Sequence, residues 1–438
     1  MSVEILTILL FVSLLVLLMF GMPIAFAMGA VGILFCLFAF DPPIYWRLYN
    51  DFIYTISDWA YLPIPLFIFM ATMLERSGVA EDLYHMMHNW VGRFAGGLAM
   101  GTVFICAILA AMVGLSGVTC ITMGIFALPA MLKRGYDSSI AIGSIAAGGT
   151  LGILIPPSIL MIIYAIQMGI SPAKLFSAGY IVGGILSLLF IIYIGIRTGL
   201  QPRLGPPVPK DERVSWREKF ISLRAVILPL FLIAIVTITI FGGIGTVTES
   251  ATIGAAGSVL CAAVNRKLTW KQIKEVNYET LKLTCMILFI LAGAMTFTRA
   301  YVVVGSMHYL QELCLMMPFG KWGFFILIEV VFLVLGCFLD PFGIILITAP
   351  TFGPAIVAFG FDPIWFGIIF VLSMEMAYIT PPVGLNLFYM RSVTPSTIST
   401  AIIYRSVVPF VLILILMLLL LVFFPQLATW LPDRISAL

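Results

Sequence analysis

Two Pro-Pro pairs, Pro156-Pro157 and Pro381-Pro382, stand 225 residues apart, each inside a long apolar run. Such a pair removes two backbone donors and forces the preceding residue out of α geometry. Each run should therefore be a helix broken near its middle, with carbonyls left unpaired. Ser158 follows the first pair, while Thr380 precedes the second and Asn386 follows it. Two other apolar runs are interrupted by Gly114-Leu115-Ser116-Gly117 and by Asp340-Pro341. Freed carbonyls and short polar side chains can hold a cation, and the N-terminus of a half-helix favours an anion. This is binding chemistry rather than bond-breaking chemistry.

A hydrolytic reading has one weak motif in its favour. Gly114-x-Ser116-Gly117 fits a four-residue signature of intramembrane serine proteases, which need a membrane-embedded histidine as base. The three histidines, His85, His88 and His308, all lie in polar flanks. No HExxH, Walker or Rossmann motif occurs, so neither a metalloprotease nor an ATP-driven pump is indicated. The seven cysteines stand singly with no CxxC, as small core residues do.

The elements that must carry these breaks follow from composition. Of 438 residues, 62% are apolar and 10% charged, against about 25% charged in soluble domains. A polytopic all-α membrane protein is expected. The net charge of +3 is small and scattered, which argues against a nucleic-acid surface. Without a basic n-region, the first apolar run should remain as a helix. The eight tryptophans sit at or near run edges, where a bilayer interface would place them. Runs 94–132 and 322–358 exceed one crossing and read as re-entrant hairpins. Runs 140–168 and 364–390 carry the Pro-Pro breaks, which survive in lipid only where freed carbonyls face protein or a wet cavity.

An internal repeat emerges at an offset near 225. It places Pro156 on Pro381, Pro129 on Pro354, Gly135 on Gly360, Asp137 on Asp362 and Ser116 on Pro341. Two repeats, 1–196 and 226–438, would be joined by a basic linker and surface helix over 197–225. Loop 133–137 has Lys133 and Arg134, but its counterpart 358–362 has no basic residue. Loop 41–58 is acidic, and its counterpart 266–283 holds Arg266, Lys267, Lys271, Lys274 and Lys282. Basic loops stay cytoplasmic, so the two halves should be inverted, with both termini in the periplasm. Inverted repeats with broken helices predict an alternating-access carrier that binds at the midplane. A channel fits less well, because paired breaks favour a closed site over a continuous pore.

These residues resemble the large membrane subunit of tripartite ATP-independent periplasmic (TRAP) transporters. The matching pieces are Gly21-Met22-Pro23, Leu128-Pro129-x-Met131, Ile155-Pro156-Pro157-Ser158, Thr248-Glu249-Ser250-Ala251, Phe338-Leu339-Asp340, Phe361-Asp362-Pro363 and Thr380 to Asn386. Many relatives carry Ser-Gly-Ser at the first hairpin tip, where this chain reads Ser116-Gly117-Val118. The resemblance implies sodium-coupled import of a small organic anion, a carboxylate or sulfonate, across a bacterial inner membrane. It implies two partners, a small four-helix membrane subunit and a periplasmic substrate-binding protein. It also implies an elevator motion of hairpins and broken helices against a scaffold. A stand-alone sodium–anion symporter of related two-hairpin architecture is the alternative.

Sodium is a hard ion, so oxygen ligands are expected. Ser116, Gly117, Gly152, Asp340 and Thr380 are the candidates, for what would be two ions. Pro156, Pro157, Ser158, Pro381, Pro382 and Asn386 should border the substrate, and Arg299 could clasp its carboxylate or snorkel to the interface. No organic cofactor is expected. Glu249 opens a helix and reads as a cap. Glu329 and Glu375 lie deep in apolar runs, as a structural pair or a functional one.

Overall fold

The computed structural model describes residues 2–39, 43–209, 214–381 and 384–435; Asp41 and Pro382 lie outside them. The described residues form helices and no strand. The first nine are α1 (Val3–Met19), α2 (Ile24–Ala39), α3 (Pro43–Ser57), α4 (Pro63–Arg76), α5 (Val79–Val91), α6 (Gly97–Val113), α7 (Ser116–Lys133), α8 (Ser138–Thr150) and α9 (Ile159–Gln167). After them come α10 (Pro172–Leu200), α11 (Trp216–Phe241), α12 (Val247–Val264), α13 (Trp270–Val303) and α14 (Ser306–Leu315). The last six are α15 (Gly320–Gly336), α16 (Pro341–Ala358), α17 (Pro363–Ile379), α18 (Leu385–Val393), α19 (Thr400–Phe423) and α20 (Gln426–Ile435). Seven spans among the described residues are long and apolar enough to cross a membrane, or nine if two bent pairs each count once.

Run 94–132 forms α6 and α7, joined by Gly114 and Leu115, and run 322–358 forms α15 and α16, joined over 337–340. Run 140–168 forms α8 and α9, and run 364–390 forms α17 and most of α18. Helix starts recur at nearly one spacing: Ser116 and Pro341, Ser138 and Pro363, Ile159 and Leu385. The linker is shorter than its composition suggests. α10 runs on through Arg197 to Leu200, because nothing before Pro202 stops it. The surface helix is the first part of α11, Trp216–Leu223, which bends by 47° into Val226–Phe241. A reciprocal cap starts it: Ser215 Oγ accepts from the Glu218 amide, and Glu218 accepts from the Ser215 amide.

α8 lies at the centre, with all residues from Ile140 to Thr150 buried. Its sequence explains why. Gly143 meets the Ser406 carbonyl of α19, Gly148 meets Cys106 of α6, and Gly149 meets Cys120 of α7. Three neighbours can approach because no side chain stands between the backbones. Elsewhere α2 packs on α13, and α4 packs on α12.

The α2–α13 seam is equally close. A Cβ added at Gly32 would lie 2.6 Å from the Thr296 carbonyl carbon, and one at Gly293 would strike the Ala25 carbonyl. Backbone cannot yield as a flexible side chain does. Gly32→Ala should therefore cost about 1–3 kcal/mol, the usual range for overpacking. Gly184→Ala, where nothing lies within 4 Å, should stay within about 0.5 kcal/mol of the parent. Unfolding midpoints of the two purified variants in detergent check this, and equal midpoints would refute the seam.

Candidate functional site

The first hairpin turns on a left-handed glycine. Gly114 has φ +65°, Leu115 is extended, and α7 restarts at Ser116. A side chain at Gly114 would also strike the Pro157 carbonyl, so glycine is required twice over. On the other side of the contact, a Cβ at Gly152 would lie 2.9 Å from the Ser116 amide nitrogen. The structure thus brings Ser116, Gly152 and Pro157 together, with the tip seated in the α8–α9 break. Within that break Ser158 is fully buried, and its hydroxyl donates to the Ile153 carbonyl at 2.7 Å. The same oxygen accepts from the Met161 amide at 3.4 Å. Ser158 is therefore occupied in closing the break and capping α9.

The second break has different parts. Thr380 is extended, and its hydroxyl donates back to the Met376 carbonyl at 2.6 Å. Gly384, with φ +48°, is the N-cap residue from which α18 starts. Asn386 is fully buried, and its carboxamide spans the two halves of the chain. Its Oδ1 accepts from Ser116 Oγ at 3.0 Å, and its Nδ2 donates to the Ala146 carbonyl at 3.2 Å. One side chain therefore joins the first hairpin tip, the central helix α8 and the second break. Gly117 packs against the Tyr389 ring one turn further on, where a Cβ would come within 2.6 Å of it. Pro381 is exposed, and Pro382 lies outside the described residues.

Asp340 takes the N-cap position of α16, where Oδ2 accepts from the Phe342 amide at 3.3 Å and Pro341 fills the first helical position. It is in electrostatic reach of Tyr378 and Tyr389. Behind the tip, Gly336 lies against Ala377 of α17. Both hairpin tips thus approach the end of α17 and the start of α18, by way of Asn386 and Tyr378.

Other ionisable residues fall elsewhere. Arg299 makes a forked pair with Asp51, Nε to Oδ2 at 2.6 Å and Nη2 to Oδ1 at 2.7 Å. Its guanidinium is taken by α3, and no contact carries it to either break. Glu249 closes a reciprocal cap with Thr246. Glu329 and Glu375 do not pair with each other. Glu329 accepts from Ser373 Oγ at 2.6 Å, while among the described residues neither oxygen of the fully buried Glu375 has a hydrogen-bond partner.

Sequence reasoning missed Tyr389, Ala146 and the link from Ser116 to Asn386. Gly117 and Gly124, two turns apart on α7, carried a signal. They lie against Tyr389 and Val393, two residues four apart on α18. Such glycine spacing marks a close helix neighbour without saying which.

Together, buried broken helices and hairpins define a polytopic helical membrane protein with a closed polar centre. A family model described as the DctM component of the tripartite ATP-independent periplasmic transporter matches residues 11–427. The chain belongs to that family and is a TRAP transporter large permease, a multi-pass membrane protein. It is 32% identical over 449 residues to the C4-dicarboxylate large permease DctM of Vibrio cholerae, covering 97% of each chain. Against the Pseudomonas aeruginosa protein of the same name it is 36% identical, covering 86% of this chain and 87% of that one. It is also 32% identical to the ectoine large permease TeaC of Halomonas elongata, covering 85% and 86%. Among solved structures, the YdaH transporter of Alcanivorax borkumensis superposes with a TM-score of 0.63 at 15% identity, covering 89% of each chain. That likeness concerns the fold alone.

The carboxamide bridge generates a stability prediction. Asn386→Ala leaves the buried Ser116 hydroxyl without its acceptor, at a cost of about 1–3 kcal/mol. Ser116→Ala should cost less in the Asn386→Ala background than in the parent, by at least about 0.5 kcal/mol. A double-mutant cycle on unfolding midpoints measures the difference. Strict additivity would show that the two side chains do not interact.

Proposed function

We propose that this permease imports a small organic anion together with two sodium ions, by an elevator movement in the bacterial inner membrane. A periplasmic binding protein delivers the anion, and a small four-helix membrane subunit covers part of the scaffold. The observation that carries this reading is the Ser116–Asn386–Ala146 bridge, which ties a hairpin tip, a central helix and a distant break into one polar centre. Oxygen donors suited to a hard cation converge there and at Asp340: hydroxyl, carboxamide, carboxylate and break carbonyls. The α2–α13 and α4–α12 seams suit a fixed scaffold, against which α6–α9 and α15–α18 would move. Relatives named for C4-dicarboxylate and ectoine favour a carboxylate-bearing solute. One named for isethionate keeps a sulfonate in range.

The two halves are proposed to be inverted. α7 ends at Lys133 and α16 at Ala358, which is exposed, while nearby Phe361 is buried against Trp365. Lys133→Cys should therefore react with an impermeant thiol reagent from the cytoplasm, and Ala358→Cys from the periplasm. Reaction of both from one side would end the inverted arrangement.

Coupling is tested in vesicles holding the permease, its small partner and a sodium gradient. Uptake should need added binding protein; equal uptake without it would favour a stand-alone symporter. Asp340→Asn keeps a capping oxygen for Phe342 while removing the charge. It should raise the sodium concentration for half-maximal uptake by about tenfold or more, equivalent to roughly 1.4 kcal/mol. Ser116→Ala should raise it less, because backbone carbonyls remain. An unchanged sodium curve in folded Asp340→Asn would remove that residue from the site. Uptake driven by protons and indifferent to sodium would sink the coupling.

A further inference from the structure

The two arms of the second hairpin lean on different neighbours. α15 packs on α17, whereas α16 packs mainly on α13, α9 and α14. At the end away from the tip the arms meet, with Phe324 stacked on Phe359 at 5.0 Å. Nearer the tip they enclose, together with α1 and α14, a cavity of about 240 Å³. Leu15 of α1, Leu310 of α14, Leu339 of α15 and Phe352 of α16 each supply a wall. Thr7 Oγ1 donates to Ser306 Oγ at 2.8 Å, so the α1 and α14 walls are fastened to each other.

The lining has nothing to offer a polar guest. Among the described residues its polar side chains are Thr348 and Thr351. Both hydroxyls donate within their own helix, to the Ile344 carbonyl at 2.7 Å and the Ile347 carbonyl at 2.6 Å. Every other lining residue is apolar. A cavity of this kind stays dry, and one of about 150 Å³ already admits benzene. Its mouth lies at Leu15, which lines it and is 48% exposed. On α15 the lining residues Val331, Leu335 and Leu339 run beside Val330, Val334 and Phe338, all three more than half exposed. In a membrane-spanning chain that outer stripe meets acyl chains, so the medium at the mouth is hydrocarbon.

We propose that this cavity takes an acyl chain of a membrane lipid, which enters past Leu15 and lies between the two arms of the hairpin. The chain fills the space that α15 and α16 leave and braces the hairpin against α1 and α14. A transmembrane helix is about 10 Å across, so a cavity of about 240 Å³ has room for a chain or a ring but not for a helix of a partner.

The test reconstitutes the full-length chain, freed of detergent, in vesicles of phosphatidylcholine that carries a photoreactive diazirine midway along one acyl chain. Mass spectrometry then locates the insertion sites. Ile347 and Thr348 line the cavity and are buried, so insertion there reports entry, while insertion at the exposed Leu412 of α19 reports bulk lipid. The parent should show both. Val331→Phe fills the cavity and should cut entry, relative to Leu412, by about tenfold. Leu15→Trp narrows the mouth from an exposed position, where the fold tolerates a larger ring, and should cut entry likewise. Insertion confined to exposed positions would overturn the proposal, and so would entry that survives in folded Val331→Phe or Leu15→Trp. Entry lost once the small membrane subunit is reconstituted alongside would mean that a partner side chain occupies the cavity, and would overturn it too.

Discussion

Backbone polar groups buried in a bilayer have no water to turn to, so every interrupted helix must find its partners inside the protein. That constraint governs the centre of this molecule. The α8–α9 break is closed by Ser158, whose hydroxyl bonds on both sides of it. Thr380 ends α17 by bonding back to Met376, and Asp340 starts α16 by capping it. Asn386 does more than serve its own helix, because it accepts from one half of the chain and donates to a carbonyl in the middle of α8. On the proposed function, satisfying polar groups and assembling a site would be the same act. A hydroxyl or carboxamide placed to complete a break would also serve as an oxygen ligand or donor at the depth where a solute is held.

Close packing makes those positions repeatable. α8 can sit among α6, α7 and α19 only because glycines remove side chains on three sides. Lipid tails are as apolar as leucine, so helices gain little from hydrophobicity alone and depend on contact and hydrogen bonds. The seams α2–α13 and α4–α12 follow the same rule away from the site, and the bidentate Arg299–Asp51 pair locks α3 to α13. A stiff frame beside a polar centre is what a moving carrier domain would require.

Legibility from sequence divides along the range of the interaction. Pro156-Pro157, Pro381-Pro382, Gly114 and Asp340 announce themselves locally, since proline and glycine act on their own backbone. The tip-to-break contact of Ser116 with Gly152 was legible too, because both lie in one run of nearby elements. The bridge to Asn386 was not, because 270 residues separate the partners and no periodicity encodes which distant carboxamide will meet a given hydroxyl. The Asp51 partner of Arg299 was illegible for a related reason. A lone arginine near an apolar run reads as unpaired until the fold brings Asp51 alongside. Glu249 reads as a cap from the sequence, and the fold supplies Thr246 as its partner. The Glu329–Ser373 contact, between α15 and α17, shows a carboxylate finding a hydroxyl rather than the second carboxylate.

The placement of Arg299 bears on how coupling would arise. With that guanidinium held by Asp51, neither hairpin tip nor either break carries a lysine or arginine. On the proposed function, an anion at this centre is balanced only by half-helix N-termini and by whatever cations bind beside it. A helix terminus contributes about half an elementary charge, less than a carboxylate brings. Anion affinity then depends on sodium occupancy, and by linkage sodium affinity depends equally on the anion. A permanent arginine would hold the anion whether or not sodium was present, and would allow it to move alone. On that reading, a site without a fixed positive charge would make the solute wait for its ions.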